Sequence, residues 1–369
     1  MWQYTVQRLL LAIPTLLGIS LISFFIMRLA PGDPVDLFLG GAAGGEGIST
    51  DKQADREKTR QELRRQLGLD QSLPRQYLNW LSKLVLRVEP VAAGERAYQG
   101  TGIELFRLGE HRFVTLDFGR SLKDQQPVIG HILKRLPLTL EINLLSLLFT
   151  YAVGIPLGVL LAVKQNTWMD RVLTSGTFVL WSMPSFWVGM LLILFLCNKE
   201  FLYWFPASGI QSLEAAGGWG MWRLLTDHLH HLALPVLAST YASFAGLSRY
   251  MRTSMLENMR LDYVRTARAK GLPEKIVVLR HVLRNSLIPI VTLMGGLLPS
   301  MIAGSVFIET IFTLPGMGFL GFQSLLVRDY PMVMAIFIIG AALSLLGILV
   351  ADVLLKAVDP RIEFSRIQR

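Results

Sequence analysis

The stretch Arg249–Arg284, RYMRTSMLENMRLDYVRTARAKGLPEKIVVLRHVLR, decides the fold of this chain. It carries nine Lys/Arg against three acidic residues and has no Gly or Pro before Gly271. Apolar runs flank it, Leu232–Leu247 and Leu287–Phe307, and such runs can cross a bilayer as helices. A plain connector would be shorter and richer in turn residues. The stretch therefore reads as a long, basic, structured loop between two membrane spans.

Composition agrees. Of 369 residues, 52% are apolar and 17% charged, against about 25% charged in ordinary soluble domains. The net charge of +9 sits in short segments beside the apolar runs. That is the positive-inside pattern of a membrane protein, and it argues against nucleic acid as the partner. The single cysteine, Cys197, can form no internal disulfide and reads as a small buried apolar residue.

Outward from the loop, the pattern predicts an all-α polytopic membrane protein with six transmembrane helices. Residues 1–29 hold the N-terminus and a retained first span, Leu9–Met27, which Pro31 and Pro34 end. Residues 30–137 form one long extracytoplasmic segment. It starts with a flexible Gly40–Gly47 run and continues into an amphipathic helix within Thr50–Leu67. A second helix over Leu73–Leu86 follows, and Arg87–Thr115 has no clear period but room for short strands. Residues 138–356 form the permease core, spans 2 to 6, with the basic loop at 249–286; residues 357–369 are a cytoplasmic tail. Span 3, Val172–Leu196, is broken at Ser182-Met183-Pro184-Ser185. Spans 4 and 5 are the runs beside the loop, and span 6 is Met332–Leu355. The inside segments hold Arg8, then two, nine and four Lys/Arg, so both termini are expected in the cytoplasm.

Several polar residues invite a functional reading. Glu141 reads as an interfacial carboxylate near Arg135 or Lys134 rather than an ion-path group. His228, His230 and His231 read as an interfacial cluster, because no HExxH pattern accompanies them. Gly154 and Gly158, four apart, suit a close helix approach. Within the loop, Leu261–Lys270 is helix-forming, Gly271 can end that helix in a left-handed conformation, and Pro273 and Glu274 suit a new helix start. Ile276, Leu279 and Leu283 are expected to form the apolar stripe of the second helix. Such seams need a protein partner or a lipid surface.

The segment Asp262-Tyr-Val-Arg-Thr-Ala-Arg-Ala-Lys-Gly271 resembles the coupling loop of binding-protein-dependent ABC importer permeases, nearest to the dipeptide/oligopeptide/nickel branch. Arg265, Thr266 and Ala267 stand where the general family pattern has Glu-Ala-Ala, and Gly271 holds the glycine. The missing glutamate is a departure that the peptide branch commonly shares. The resemblance extends to Arg8–Pro34, Leu67–Asp70 with Gln76-Tyr77 and Trp80-Leu81, and Asp117–Ser121. It continues through Met183–Trp187 and Glu309–Gly318, and leaves out Arg87–Thr115, which looks like an insertion.

The resemblance implies a type I ABC importer permease fold in the cell inner membrane. It implies a heterodimer with a second homologous permease, two cytoplasmic ATPase subunits and an extracytoplasmic solute-binding protein, all within membrane lipid. The chain itself is expected to be no enzyme and to hold no cofactor or metal. It has no phosphate loop, so ATP and Mg belong to the partner ATPases. Leu261, Val264, Ala267, Gly271 and Ile276 are the expected ATPase contacts, with Arg265, Thr266, Arg268 and Lys270 around them. Pro184, Ser185, Gly295, Gly296, Ser300, Gly304 and Ser305 are candidates to line the solute pathway, and small residues serve helix packing as readily. The function expected is ATP-driven uptake of peptides or related small solutes. An ion-driven secondary transporter is the alternative; it would want several buried carboxylates, and only Glu141 and Asp352 offer themselves.

Overall fold

The structure is a computed structural model that describes residues 2–29, 58–62, 64–65, 70–90, 100–108, 111–297 and 304–358. The Gly40–Gly47 run, most of Thr50–Leu67, Ser300 and residues 359–369 lie outside the described residues. The order is α1 (Trp2–Leu29), α2 (Leu73–Val85), β1 (Arg87–Pro90), β2 (Ile103–Leu108), β3 (His111–Thr115) and α3 (Val128–Val163). Then come α4 (Trp168–Ser182), α5 (Ser185–Leu196), α6 (Met221–Met259), α7 (Asp262–Ala269), α8 (Glu274–Ile276), a π-helical segment (Val277–Val282) and α9 (Leu283–Leu297). The chain continues as α10 (Val306–Ile311), α11 (Met317–Leu326) and α12 (Tyr330–Val358).

By length and composition α1, α3 and α12 can each cross a membrane, and the pair α4–α5, bent by 102°, can make a fourth span. The bend falls at Met183-Pro184, where proline cannot continue the helix. The carbonyl freed there is not wasted: the Tyr241 hydroxyl donates to Met183 O at 2.5 Å. The expected fourth span lies within α6, which runs unbroken for 39 residues. Of the expected fifth span, α9 covers Leu287–Leu297 and α10 starts at Val306, while residues 298–303 lie outside the described residues.

The chain divides into two compact units. One comprises Val6–Leu136 and Leu320–Ala342. In it Phe24 of α1 is buried against Tyr77 and Trp80 of α2 and Val333 and Met334 of α12. The Tyr77 and Ser20 hydroxyls share a hydrogen bond at 2.8 Å. The Arg87–Thr115 region, without a legible period, forms an antiparallel sheet of order β1-β3-β2. Asp117 receives Arg87 Nη1 at 3.2 Å and the Gly119 N–H at 2.9 Å. Buried Asp329 accepts from Ser121 Oγ and from the Leu122 N–H at 3.1 Å, which ties the Asp117–Ser121 motif to the turn before α12.

The other unit comprises Met1–Thr5, Pro137–Phe319 and Leu343–Arg369. Here α3 crosses α6 at the expected glycines: a Cβ on Gly158 would overlap Met251 and the Ser248 carbonyl, and one on Gly154 would press on Leu247. One cluster of this unit packs Met251, Met255, Val264, Ala267, Val277, Val278 and Val282 beneath the basic loop. A second packs Leu138, Ile142, Cys197, Leu232, Ile308 and Phe312.

A basic helical loop and an uncharged cavity as the candidate functional site

The loop forms as helix, glycine joint and helix. Gly271 has φ +76°, the left-handed region that glycine enters without a steric cost. Across the joint, Arg268 forks onto Glu274 at 2.6 and 3.0 Å. The fork holds the Glu274 carboxyl below the usual carboxylate range and pushes the Arg268 guanidinium up.

The helix after the joint departs from regular spacing. Residues 277–282 are π-helical, so one residue more than usual fits each turn. That moves the buried face to Val277, Val278 and Val282. Ile276 and Leu279, expected on the seam, are 42% and 49% exposed. On α7 the inward residues are Val264 and Ala267, at 0% and 5% exposed. Those two attach α7 to the core of their own chain and leave no side-chain surface for another subunit. Leu261, Arg265, Thr266, Arg268, Lys270, Gly271 and Ile276 are outward.

The loop is anchored to its surroundings by charge. Asp170, 4% exposed, receives Arg252 Nη2 at 2.7 Å and the Asn166 N–H at 3.0 Å. Arg249 lies over the rings of Phe178 and Trp181, at 4.8 and 4.5 Å. Both arginines project from α6, whereas Asp170, Phe178 and Trp181 all belong to α4.

A cavity of about 280 Å³ opens along α3 and α6. Asn143, Ser146, Leu147 and Thr150 line it from α3, and Ser239 and Ser243 from α6. Ser185 at the start of α5, with Gly304, Ser305 and Ile308, completes it. Of the pathway candidates, Ser185, Gly304 and Ser305 therefore meet at one cavity, and Pro184 caps the helix that Ser185 begins. Gly295 and Gly296 lie in α9. Sequence reading missed the α3 residues. The signal was present: Thr139, Asn143, Ser146 and Thr150 recur on one face of a mostly apolar helix.

One wall of the cavity is clasped from behind. Glu309 is 2% exposed and accepts the Phe319 N–H at 2.8 Å and Thr139 Oγ1 at 3.3 Å. Thr139 Oγ1 in turn accepts the Met317 N–H at 2.8 Å. Side chains at Gly304, Gly316 or Gly318 would overlap the carboxylate or backbone packed around it, so the Glu309–Gly318 motif forms a cradle for this carboxylate.

The remaining polar residues have local partners. Glu141 pairs with His228 Nε2 at 2.9 Å rather than with Arg135 or Lys134. The second ring nitrogen of His228 meets Ile210 O, His230 meets Trp204 O and His231 meets Asp227 O. Asp352 accepts the Tyr4 hydroxyl at 2.6 Å.

Helices long and apolar enough to span a membrane, with α3, α5 and α6 bordering an uncharged cavity and α6 running on into the basic loop, mark a membrane component. Residues 154–364 match the family described as binding-protein-dependent transport system inner membrane component, and residues 1–143 match its N-terminal counterpart. The chain belongs to that family: it is the permease subunit of an ABC importer, not an enzyme. It is similar to the oligopeptide transport system permease protein AppB of Bacillus subtilis, 38% identical over 98% of this chain and 99% of the relative. The dipeptide transport system permease protein DppB of Escherichia coli K12 is 32% identical over 99% and 100%. Among solved structures, a methionine ABC transporter in inward-facing conformations aligns with TM-score 0.47 and 17% identity over 63% of this chain and 98% of that one.

Proposed function

We propose that this chain imports peptides or closely related small solutes, as one of two homologous permeases in a heterodimer. Two cytoplasmic ATPases drive it, and an extracytoplasmic binding protein delivers the solute. The relatives named above, permeases of oligopeptide and dipeptide transport systems, support the solute class. Both termini and the basic loop face the cytoplasm in this reading, in keeping with the positive charge at 249–286.

One observation carries the coupling mechanism. Helix α6 lines the cavity through Ser239 and Ser243 and runs on, unbroken, to the loop. Its 39 residues extend for about 58 Å at 1.5 Å per residue. The exposed face of the joint, Leu261, Arg265, Thr266, Lys270, Gly271 and Ile276, docks on an ATPase. Val264 and Ala267 transmit the push into the core that holds α6. A rigid lever of this kind turns closure of the ATPases into a hinge-and-shear rearrangement of the cavity walls. Pro184, Ser185, Gly304 and Ser305 lie along the proposed pathway.

The test is uptake of a labelled dipeptide by the reconstituted complex. Depleting ATP at a constant proton gradient should abolish it. Arg265→Glu with Lys270→Glu should lower uptake at least tenfold while membrane insertion stays normal. Uptake that survives those substitutions refutes the docking face, and uptake that follows the proton gradient refutes ATP coupling.

A further inference from the structure

We propose that His228 latches an outer lid: it fastens residues 198–212 over the end of the cavity and frees them when the latch loses a proton. This rests on the sidedness of the import reading, which puts these residues outside, and goes beyond it to the control of access. An apolar cluster closes the cavity on the side of residues 198–212. On α3, Leu138 and Ile142 of the cluster precede the lining residues Asn143 and Ser146. On α6, Leu234 and Ala238 precede Ser239 and Ser243, and Ile308 belongs to cluster and lining alike. Phe205 and Ile210 pack on the same cluster, so the segment sits over it as a lid. Its backbone is tied down as well. The Gly209 N–H donates to Phe312 O at 3.1 Å, and the Trp204 N–H to Leu196 O at 2.7 Å.

The latch needs a proton that a neutral histidine lacks. His228 Nδ1 lies 3.0 Å from Ile210 O, on the lid. Its Nε2 lies 2.9 and 3.0 Å from the two carboxylate oxygens of Glu141, on α3. Carbonyl and carboxylate oxygens accept and do not donate. Lid, ring and α3 are therefore joined only while the pair holds one proton more than a neutral ring beside a carboxylate. Without it, one of the two contacts sets lone pair against lone pair. The charged groups acting on the ring are Glu141 from α3 and Asp227 on α6 itself. Asp227 is already engaged by the Ser212 N–H at 2.8 Å and the Ser212 hydroxyl at 2.5 Å. His230 meets Trp204 O and His231 meets Asp227 O, and a single N–H, which a neutral ring has, serves each of these. The sign follows. The extra proton is held in acid and lost as pH rises through the histidine range, so the lid is fastened at low outside pH and loosened at high.

The test reads access to the cavity from outside. Ser243→Cys places a thiol at an exposed lining position, and the chain with Cys197 alone gives the background. The full complex, in spheroplasts, is treated with a membrane-impermeant thiol reagent from pH 5.5 to 8.5. Glu141→Gln is the reference variant. Its amide donates to an unprotonated Nε2 while Nδ1–H still serves Ile210 O, so it keeps the latch without the extra proton. Dividing each labelling rate by that of Glu141→Gln at the same pH cancels the ionisation of the thiol itself. With the native latch the ratio should be near one at pH 5.5 and rise at least threefold by pH 8.5. With His228→Ala it should be high at both. A flat ratio for the native latch overturns the proposal, even if His228→Ala fails to insert. A ratio near one for an inserted His228→Ala at every pH overturns it too, since the ring would then fasten nothing. Inside-out vesicles should show no such step. A step found only there supports the latch and refutes the sidedness of the import reading.

Discussion

Replacing Gly271 separates backbone geometry from docking. Its φ of +76° requires the left-handed region, and a Cβ built on it meets no atom within 4 Å of its own chain. A side chain there costs conformational energy and no packing energy. For alanine the left-handed region costs about 1–2 kcal/mol. Asparagine tolerates it better, and a β-branched residue fares worst. At 1.4 kcal/mol per tenfold, Gly271→Ala should lower the population of correctly bent loops by about 5- to 30-fold. The order of damage should be Asn, then Ala, then Val. The assay is the initial rate of ATP-driven uptake in proteoliposomes, read beside the amount of ATPase retained on the purified permease. If Asn is as damaging as Val, the position is glycine because a partner surface approaches the backbone, and the turn argument fails. If all three variants are silent, the loop does not need this bend.

Two other perturbations probe how the loop is held. Asp170→Asn or Arg252→Ala breaks a pair whose carboxylate is 4% exposed, and removing one partner of a buried pair costs about 3–5 kcal/mol. Thermal unfolding in detergent should show the double variant to be less destabilised than the sum of the two single changes; additive losses would mean the two groups do not interact. The Arg268–Glu274 fork is exposed. Because Arg268 holds the Glu274 carboxyl below its unfolded value, the fork stabilises the joint above the ordinary carboxylate range, about pH 4, and loses that contribution as pH falls through the folded value. Protease protection at Lys270 should therefore be flat from pH 8 to 5, drop at lower pH, and weaken with salt. A decline that begins near pH 7 would assign the protection to another group.

Much of this was legible along the chain because its signals are local. Apolar runs and a glycine before a proline are set by a few neighbouring residues, so several apolar helices and the joint follow from short windows. The broken span at Pro184 and the crossing at Gly158 were legible for the same reason. Arg87–Thr115 was not, because strands of four to six residues with a bulge between Glu104 and Phe106 lose their alternation.

The sequence by itself determined a helical membrane chain, the place of the basic loop and the bend at Gly271. Tertiary structure alone decided which loop residues are free. The π-helical turn at 277–282 rotates the buried face away from Ile276 and Leu279, and α7 commits Val264 and Ala267 to its own core. It also decided that Glu309 serves as a clasp and that Glu141 answers to His228. The Glu141–His228 and Glu309–Thr139 pairings join residues 87 and 170 positions apart. No periodicity within one helix can encode which distant donor will reach a carboxylate once the helices pack.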